Sequence, residues 1–325
     1  MALELAQNYV KGQKKSKKSI IKRILRQWDL QIMVWPGVIF ILIFCYIPMW
    51  GILFSFQDFD IFKGFLGSGW VGLKHFKVFF QSPDALMVIK NTLEISLLKL
   101  VIIFPAPIIF ALILNEVQNL RFKKMVQTIT YLPHFISWVI VGGLISSILS
   151  VDTGSLNMVL LKIGIIKGPV NWLSIPDYFR PILIGAGVWK SIGFGSIVYL
   201  AAIAGINPSL YEAADVDGCS RLKKTWYITL PSIAPIISIF LVLNVGNLLN
   251  AGFEDILVLT NNGGNSILRN VSEVIDIYVY KQGLRQFPLR YSYATAVGLF
   301  KGIINVILLV TANKISRKLN DASLW

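Results

Sequence analysis

Residues 32–54 read Ile32-Met33-Val34-Trp35-Pro36-Gly37-Val38-Ile39-Phe40-Ile41-Leu42-Ile43-Phe44-Cys45-Tyr46-Ile47-Pro48-Met49-Trp50-Gly51-Ile52-Leu53-Phe54, with no charged residue in 23 positions. About 20 mostly apolar residues suffice to cross the hydrocarbon core of a bilayer as a helix. The run is longer than the apolar part of a signal peptide, and no small-residue cleavage pattern follows it. Five more stretches of similar length qualify: 91–114, carrying only Glu94 and Lys99; 128–149, with His134 near its start; 182–206, with Lys190; 229–250; and 293–313, with Lys301. The expected fold is an all-α integral membrane protein of six transmembrane helices. Two shorter apolar stretches, 70–80 and 156–166, are too short to span and are expected at the interface.

Composition supports the same class. The 325 residues are 55% hydrophobic and 15% charged, with mean hydropathy +0.65, against about 25% charged in a soluble domain. The net charge of +14 would point to nucleic acid in a soluble chain. In a membrane protein it marks the faces kept in the cytoplasm, so no nucleic-acid partner is expected. With the N-terminus inside, segments 1–31, 115–127, 207–228 and 314–325 hold 17 Lys/Arg in 78 residues, against 11 in the 110 residues of 55–90, 150–181 and 251–292. That asymmetry places both termini in the cytoplasm. The basic run 11–26 is then a topological anchor beside anionic lipid. The expected organisation is a basic segment 1–31, a membrane domain 32–313 and a tail 314–325.

Much chemistry is excluded. No Gly-Lys dipeptide occurs, so the chain has no phosphate-binding loop of the G-x-x-x-x-G-K type. There is no H-E-x-x-H and no G-x-S-x-G. Two Cys and two His are too few for a Cys/His metal cluster. Cys45 and Cys219 fall in different compartments and are expected as free thiols.

The most informative loop is 207–231. Asn207 is a good helix N-cap and Pro208 a good first helical residue. Gly218 supplies a left-handed stop, and Ser220 can cap a second helix. Read by itself, this helix–turn–helix is either a solvated connector or a docking element slimmed by Ala213 and Ala214. The pattern E-A-A-x-x-x-G, nine residues, then I-x-L-P falls on Glu212, Ala213, Ala214, Gly218, Ile228, Leu230 and Pro231. It resembles the cytoplasmic signature of permease subunits of binding-protein-dependent ATP-driven importers. Stretches 46–51, 131–138, 199–206 and 274–280 resemble the oligo- and polysaccharide branch, of the maltose-type class, and the likeness covers about residues 28–318. Cys219 departs from the alanine usual in the family.

The resemblance implies a non-catalytic half-transporter in a bacterial cytoplasmic membrane. A second homologous permease would complete the pore. Two cytoplasmic ATPase subunits would carry ATP and Mg, with no cofactor on this chain. An extracytoplasmic solute-binding protein would deliver the saccharide. Glu212, Ala213, Ala214, Asp217, Gly218, Leu230 and Pro231 would couple to the ATPase. The alternatives are a permease for another solute, a lone carrier or an integral membrane enzyme.

Polar residues inside spans are functional candidates. Asn244, Asn247 and Asn250 recur at i, i+3, i+6 and should share one side of a helix. Their amides both donate and accept, as sugar hydroxyls do. Trp189 and Tyr199 could stack on pyranose rings, and Lys190 and Lys301 would suit a uronic carboxylate. Asn305 lies one turn after Lys301. Each has a structural alternative, an interhelical contact or, for the lysines and Lys99, snorkelling. Glu94 and Lys99 are five apart and should not share a face. Loop 251–292, with Thr260-Asn261-Asn262-Gly263-Gly264, is expected to project outward, where a binding protein would dock.

Overall fold

The computed structural model describes residues 27–320 and Leu324; the basic run 11–26 lies outside the described residues. The chain divides into two compact units, with the boundary after Leu53. The first unit contains most of helix α1 (Trp28–Phe56).

The second unit holds the other membrane-length helices: α2 (Asp84–Glu116), α3 (Pro176–Ala204), α4 (Arg221–Gly246) and α5 (Tyr291–Lys318). The span expected over 128–149 is instead two helices, α6 (Leu120–Phe135) and α7 (Trp138–Ile148), bent by 102°. Pro133 and the extended backbone of Ile136 and Ser137 interrupt the helix there, and Ser137 restarts it by accepting from Ile140 N–H at 3.4 Å. The protein is therefore an all-α membrane protein with five continuous membrane-length helices and one broken pair among the described residues.

Three long helices contain one π-helical turn: Leu42–Tyr46, Lys99–Ile103 and Thr225–Thr229. Each ends two residues before a proline, respectively Pro48, Pro105 and Pro231. The ring of a helical proline collides with the carbonyl four residues back and provides no N–H. Widening the preceding turn by one residue relieves that collision without breaking the helix. In α2 the result is a bond from Phe104 N–H to the Lys99 carbonyl at 3.1 Å.

Segment 251–292 differs from its expectation as an outward loop. It folds into three short helices, Glu254–Leu259, Arg269–Ser272 and Ile275–Tyr280, and supplies much of the core. Ile256, Leu268, Val274 and Ile277 pack with Ile95, Phe179 and Leu183. Ile275 and Tyr278 pack with Phe79, Val88 and Tyr293. Polar ties hold it to α2: Ile275 N–H donates to Thr92 Oγ1 at 2.9 Å, and Asn91 Nδ2 to the Glu273 carbonyl at 3.3 Å. Glu273 is itself buried between Arg269 (2.6 Å) and Lys281 (3.3 Å). A backbone with three short helices leaves many polar groups free, and such backbone is tolerated at depth only where protein satisfies them. The turn at Asn261, Asn262 and Gly263, all at positive φ, remains exposed at its two asparagines.

The short apolar stretches are also anchored in protein. Phe79 and His75 of Lys74–Gln81 are buried. Helix Ser155–Lys162 is pinned by Asn157, whose carboxamide bonds Ser150, Val170 and the Trp172 indole at 2.9–3.2 Å.

Candidate functional site: a surface helix and a membrane cavity

Helix α8 (Pro208–Val216) begins and ends as its residue types require. Asn207 Oδ1 accepts from Ser209 N–H at 3.1 Å. Gly218 adopts φ +69°, which lets Cys219 N–H reach the Ala214 carbonyl at 2.9 Å. Ser220 stands at the next helix start but makes no side-chain cap bond. Three residues hold α8 to the chain: Tyr211 hydroxyl bonds Thr229 Oγ1 at 2.8 Å, Asp215 pairs with Lys224, and Ala214 is buried. Both polar ties land at the base of α4, so α8 and α4 are mechanically joined. Of the two alanines, Ala214 faces inward and Ala213 is exposed. Leu210, Ala213 and Val216 are exposed at three-residue spacing, so they lie along one side of the helix. Glu212, Asp217 and Pro231 are exposed, and Leu230 is half-buried.

A cavity of about 480 Å³ opens between α2, α3 and α4. Asn244, Asn247 and Asn250 all line it, but not as one helical stripe. Helix α4 ends at Gly246, and Asn247–Leu249 form a turn that swings Asn250 back to the cavity. Asn244 and Asn247 donate to the carbonyls of Phe240 (2.8 Å) and Leu243 (3.0 Å), and Asn250 donates to Asn247 Oδ1 at 2.9 Å. Asn305 is not in the wall; it holds it up, accepting from Leu249 N–H at 3.1 Å and donating to Asn250 Oδ1 at 3.3 Å. Tyr199 is in the wall, as are Phe194, Ser96, Ser191 and Lys99.

The remaining candidates lie elsewhere. Trp189 is exposed on α3 and is not a wall residue. Lys190 closes the break between α6 and α7, donating to the carbonyls of His134 (2.8 Å), Pro133 (3.3 Å) and Ile136, with its ammonium 5.7 Å from the Trp138 ring centre. Lys301 pairs with Asp276. Glu94 and Lys99 go to different partners, as their spacing implied: Glu94 to Arg180 at 2.6 Å, and Lys99 to Asp255. Lys99 was open to a snorkelling reading in the sequence. No local signal places it, because its partner Asp255 is 156 positions away in the chain.

The binding-protein-dependent transport system inner membrane component family matches residues 103–321. The Bacillus subtilis polygalacturonan/rhamnogalacturonan transport system permease protein YteP is 44% identical over 96% of this chain and 95% of its own. A bacterial ABC transporter involved in importing the acidic polysaccharide alginate contains a chain 43% identical, with TM-score 0.84 over 92% of this chain and 99% of that one. The same TM-score holds for a chain of the bacterial alginate ABC transporter in complex with alginate pentasaccharide-bound periplasmic protein, at 42% identity over 93% and 99%. By family match, near full-length identity and fold, this chain belongs to the binding-protein-dependent transport inner membrane components and is a multi-pass permease subunit of an ABC importer.

Proposed function

We propose that this chain forms half of the translocation pathway for an acidic oligo- or polysaccharide. The observation that carries the reading is the cavity. Three carboxamides, the Ser191 hydroxyl and the Tyr199 and Phe194 rings border one space between membrane helices. Amides and hydroxyls match sugar hydroxyls in both hydrogen-bonding senses, and rings suit the apolar faces of pyranoses. The relatives named for polygalacturonan and alginate support the substrate class.

In this reading a second homologous permease completes the pore, and a solute-binding protein delivers the saccharide outside the cell. Two ATPase subunits, holding ATP and Mg, dock on the cytoplasmic side. Helix α8 seats its exposed Leu210, Ala213 and Val216 side, with Glu212 and Asp217 beside it, against an ATPase subunit. Asp215, Tyr211 and the Gly218 turn carry the ATPase motion into α4, whose far end holds the asparagines. Such a joined lever is what a two-state membrane domain needs to be biased from outside it.

Uptake tests the cavity. Asn244 bonds only its own helix carbonyl among the described residues, so Asn244→Ala should leave assembly intact. Loss of a sugar hydrogen bond should lower oligosaccharide uptake roughly threefold to tenfold at matched complex abundance. Asn305→Ala should instead reduce the amount of assembled complex, because Asn305 supports the Leu249 backbone. Wild-type uptake by Asn244→Ala and Asn247→Ala alike would move recognition out of this cavity.

In the same reading both termini lie in the cytoplasm, as the Lys/Arg asymmetry of the sequence predicts. Ser316 is buried, so the exposed Lys318 is the better reporter. Lys318→Cys should react with an impermeant thiol reagent only in opened membranes, and Asn262→Cys in intact cells. The reverse pattern would invert the topology.

A further inference from the structure

One lysine falls inside the apolar run of each of three helices: Lys99 in 91–114 of α2, Lys190 in 182–206 of α3 and Lys301 in 293–313 of α5. Two are committed to the fold, Lys190 to the carbonyls at the α6–α7 break and Lys301 to Asp276. Lys99 differs. It is the one charged side chain in the cavity wall among the described residues. Its counter-ion, Asp255, is not in that wall. The Lys99 side chain is 22% exposed and borders the cavity, whereas that of Asp255 is 7% exposed and lies outside the wall. Asp255 is held from its own side, its Oδ1 accepting from Ile256 N–H at 3.0 Å. Lys99 also begins the π turn of α2, and such turns recur at functional sites.

We infer that Lys99 takes the substrate's carboxylate in transit and that Asp255 is the counter-ion it keeps; this rests on the saccharide reading above. An isolated ammonium at membrane depth is costly. An ammonium has three donors, so Lys99 can bond a uronate while still touching Asp255; the cation stays paired throughout and the buried Asp255 is not left as an uncompensated charge. Competition from Asp255 also keeps the complex weak enough to release, as conduction through any site requires. Ser191, with the three asparagines, then takes the hydroxyls of the same sugar.

The test uses the assembled importer in proteoliposomes with its solute-binding protein. The probes are trigalacturonate and its methyl ester, equal in length but not in charge. The same binding protein serves wild type and variants, so its own preference cancels when each variant is compared with wild type. Loss of a charge-assisted hydrogen bond predicts that Lys99→Met lowers trigalacturonate uptake by about tenfold or more, and ester uptake by less than about threefold. Asp255→Asn, which keeps the cation, should hold the acid-to-ester ratio at or above wild type. Lys99→Met/Asp255→Asn removes both charges of a buried pair, which is better tolerated than removing one, and should show the same loss of acid preference if the single variant assembles poorly. Equal losses for both probes in Lys99→Met and Asp255→Asn would overturn the inference and make the pair structural. An unchanged ratio in Lys99→Met, or in the double variant, would also overturn it. If wild type imports neither probe, the saccharide reading falls and the inference with it.

Discussion

Gly218→Pro is expected to abolish the stimulation of ATP hydrolysis by liganded binding protein in the assembled importer, with the membrane helices still inserted. Gly218 sits at φ +69° and donates its N–H to the Asp215 carbonyl at 3.1 Å. Proline has no N–H and holds φ near −65°, so the turn cannot form. The chain would leave α8 in another direction, and the Tyr211–Thr229 and Asp215–Lys224 ties would lose register. Gly218→Ala provides a graded control. An added Cβ meets nothing within 4 Å, so its cost is that of left-handed backbone alone, roughly 1–2 kcal/mol, and coupling should be partly kept. ATPase assays on complexes of equal composition read the result. Wild-type stimulation in Gly218→Pro would remove α8 from the coupling route.

Gly193→Val should nearly eliminate the assembled complex. Where α3 crosses α6, a Cβ on residue 193 would lie 2.1 Å from the Thr130 carbonyl oxygen and 2.4 Å from its carbon. These are backbone atoms and cannot rotate away. Three residues earlier, Lys190 grips the carbonyls of Pro133, His134 and Ile136, so separating the helices at Gly193 also pulls the clasp off the break. Overpacking costs typically 1–3 kcal/mol, and loss of the clasp adds to it; Gly193→Ala should already lower abundance. Gly185 in the same helix has open space around its Cβ position, and Gly185→Ala should be tolerated. Quantifying complex in detergent extracts checks both. Equal abundance for Gly193→Val and Gly185→Ala would mean that α3 and α6 do not cross this closely in the membrane.

The asparagines show how partial correctness arises. Three amides in one apolar run could not all face lipid, and they do share a cavity. The helical stripe that was to bring them there does not exist, because α4 stops at Gly246 and a turn carries Asn250 back. Segment 251–292 shows the opposite error. Its Gly and Asn residues read as an exposed loop, yet Ile256, Leu268, Val274 and Ile275 are fully buried. Hydropathy reports what a stretch dislikes, not which neighbour shields it.

What the sequence determined by itself is what local chemistry enforces. Apolar runs of membrane length make helices because only an internally bonded backbone survives in hydrocarbon. Asn207, Pro208 and Gly218 bound α8 through capping and left-handed backbone, and the E-A-A signature marks its family. Pro133 and the Ser137 cap mark the α6–α7 break locally; tertiary structure alone decided the packing of 251–292 and the fate of each buried charge. A lysine in a span must find a partner, but that partner is 156 positions away for Lys99, 25 for Lys301 and 54 to 57 for Lys190. Pairing over such separations depends on which helices come to lie side by side, and no local pattern encodes that. Lys99 therefore could be recognised as the cavity's cation only once α2, α3 and α4 had closed around it.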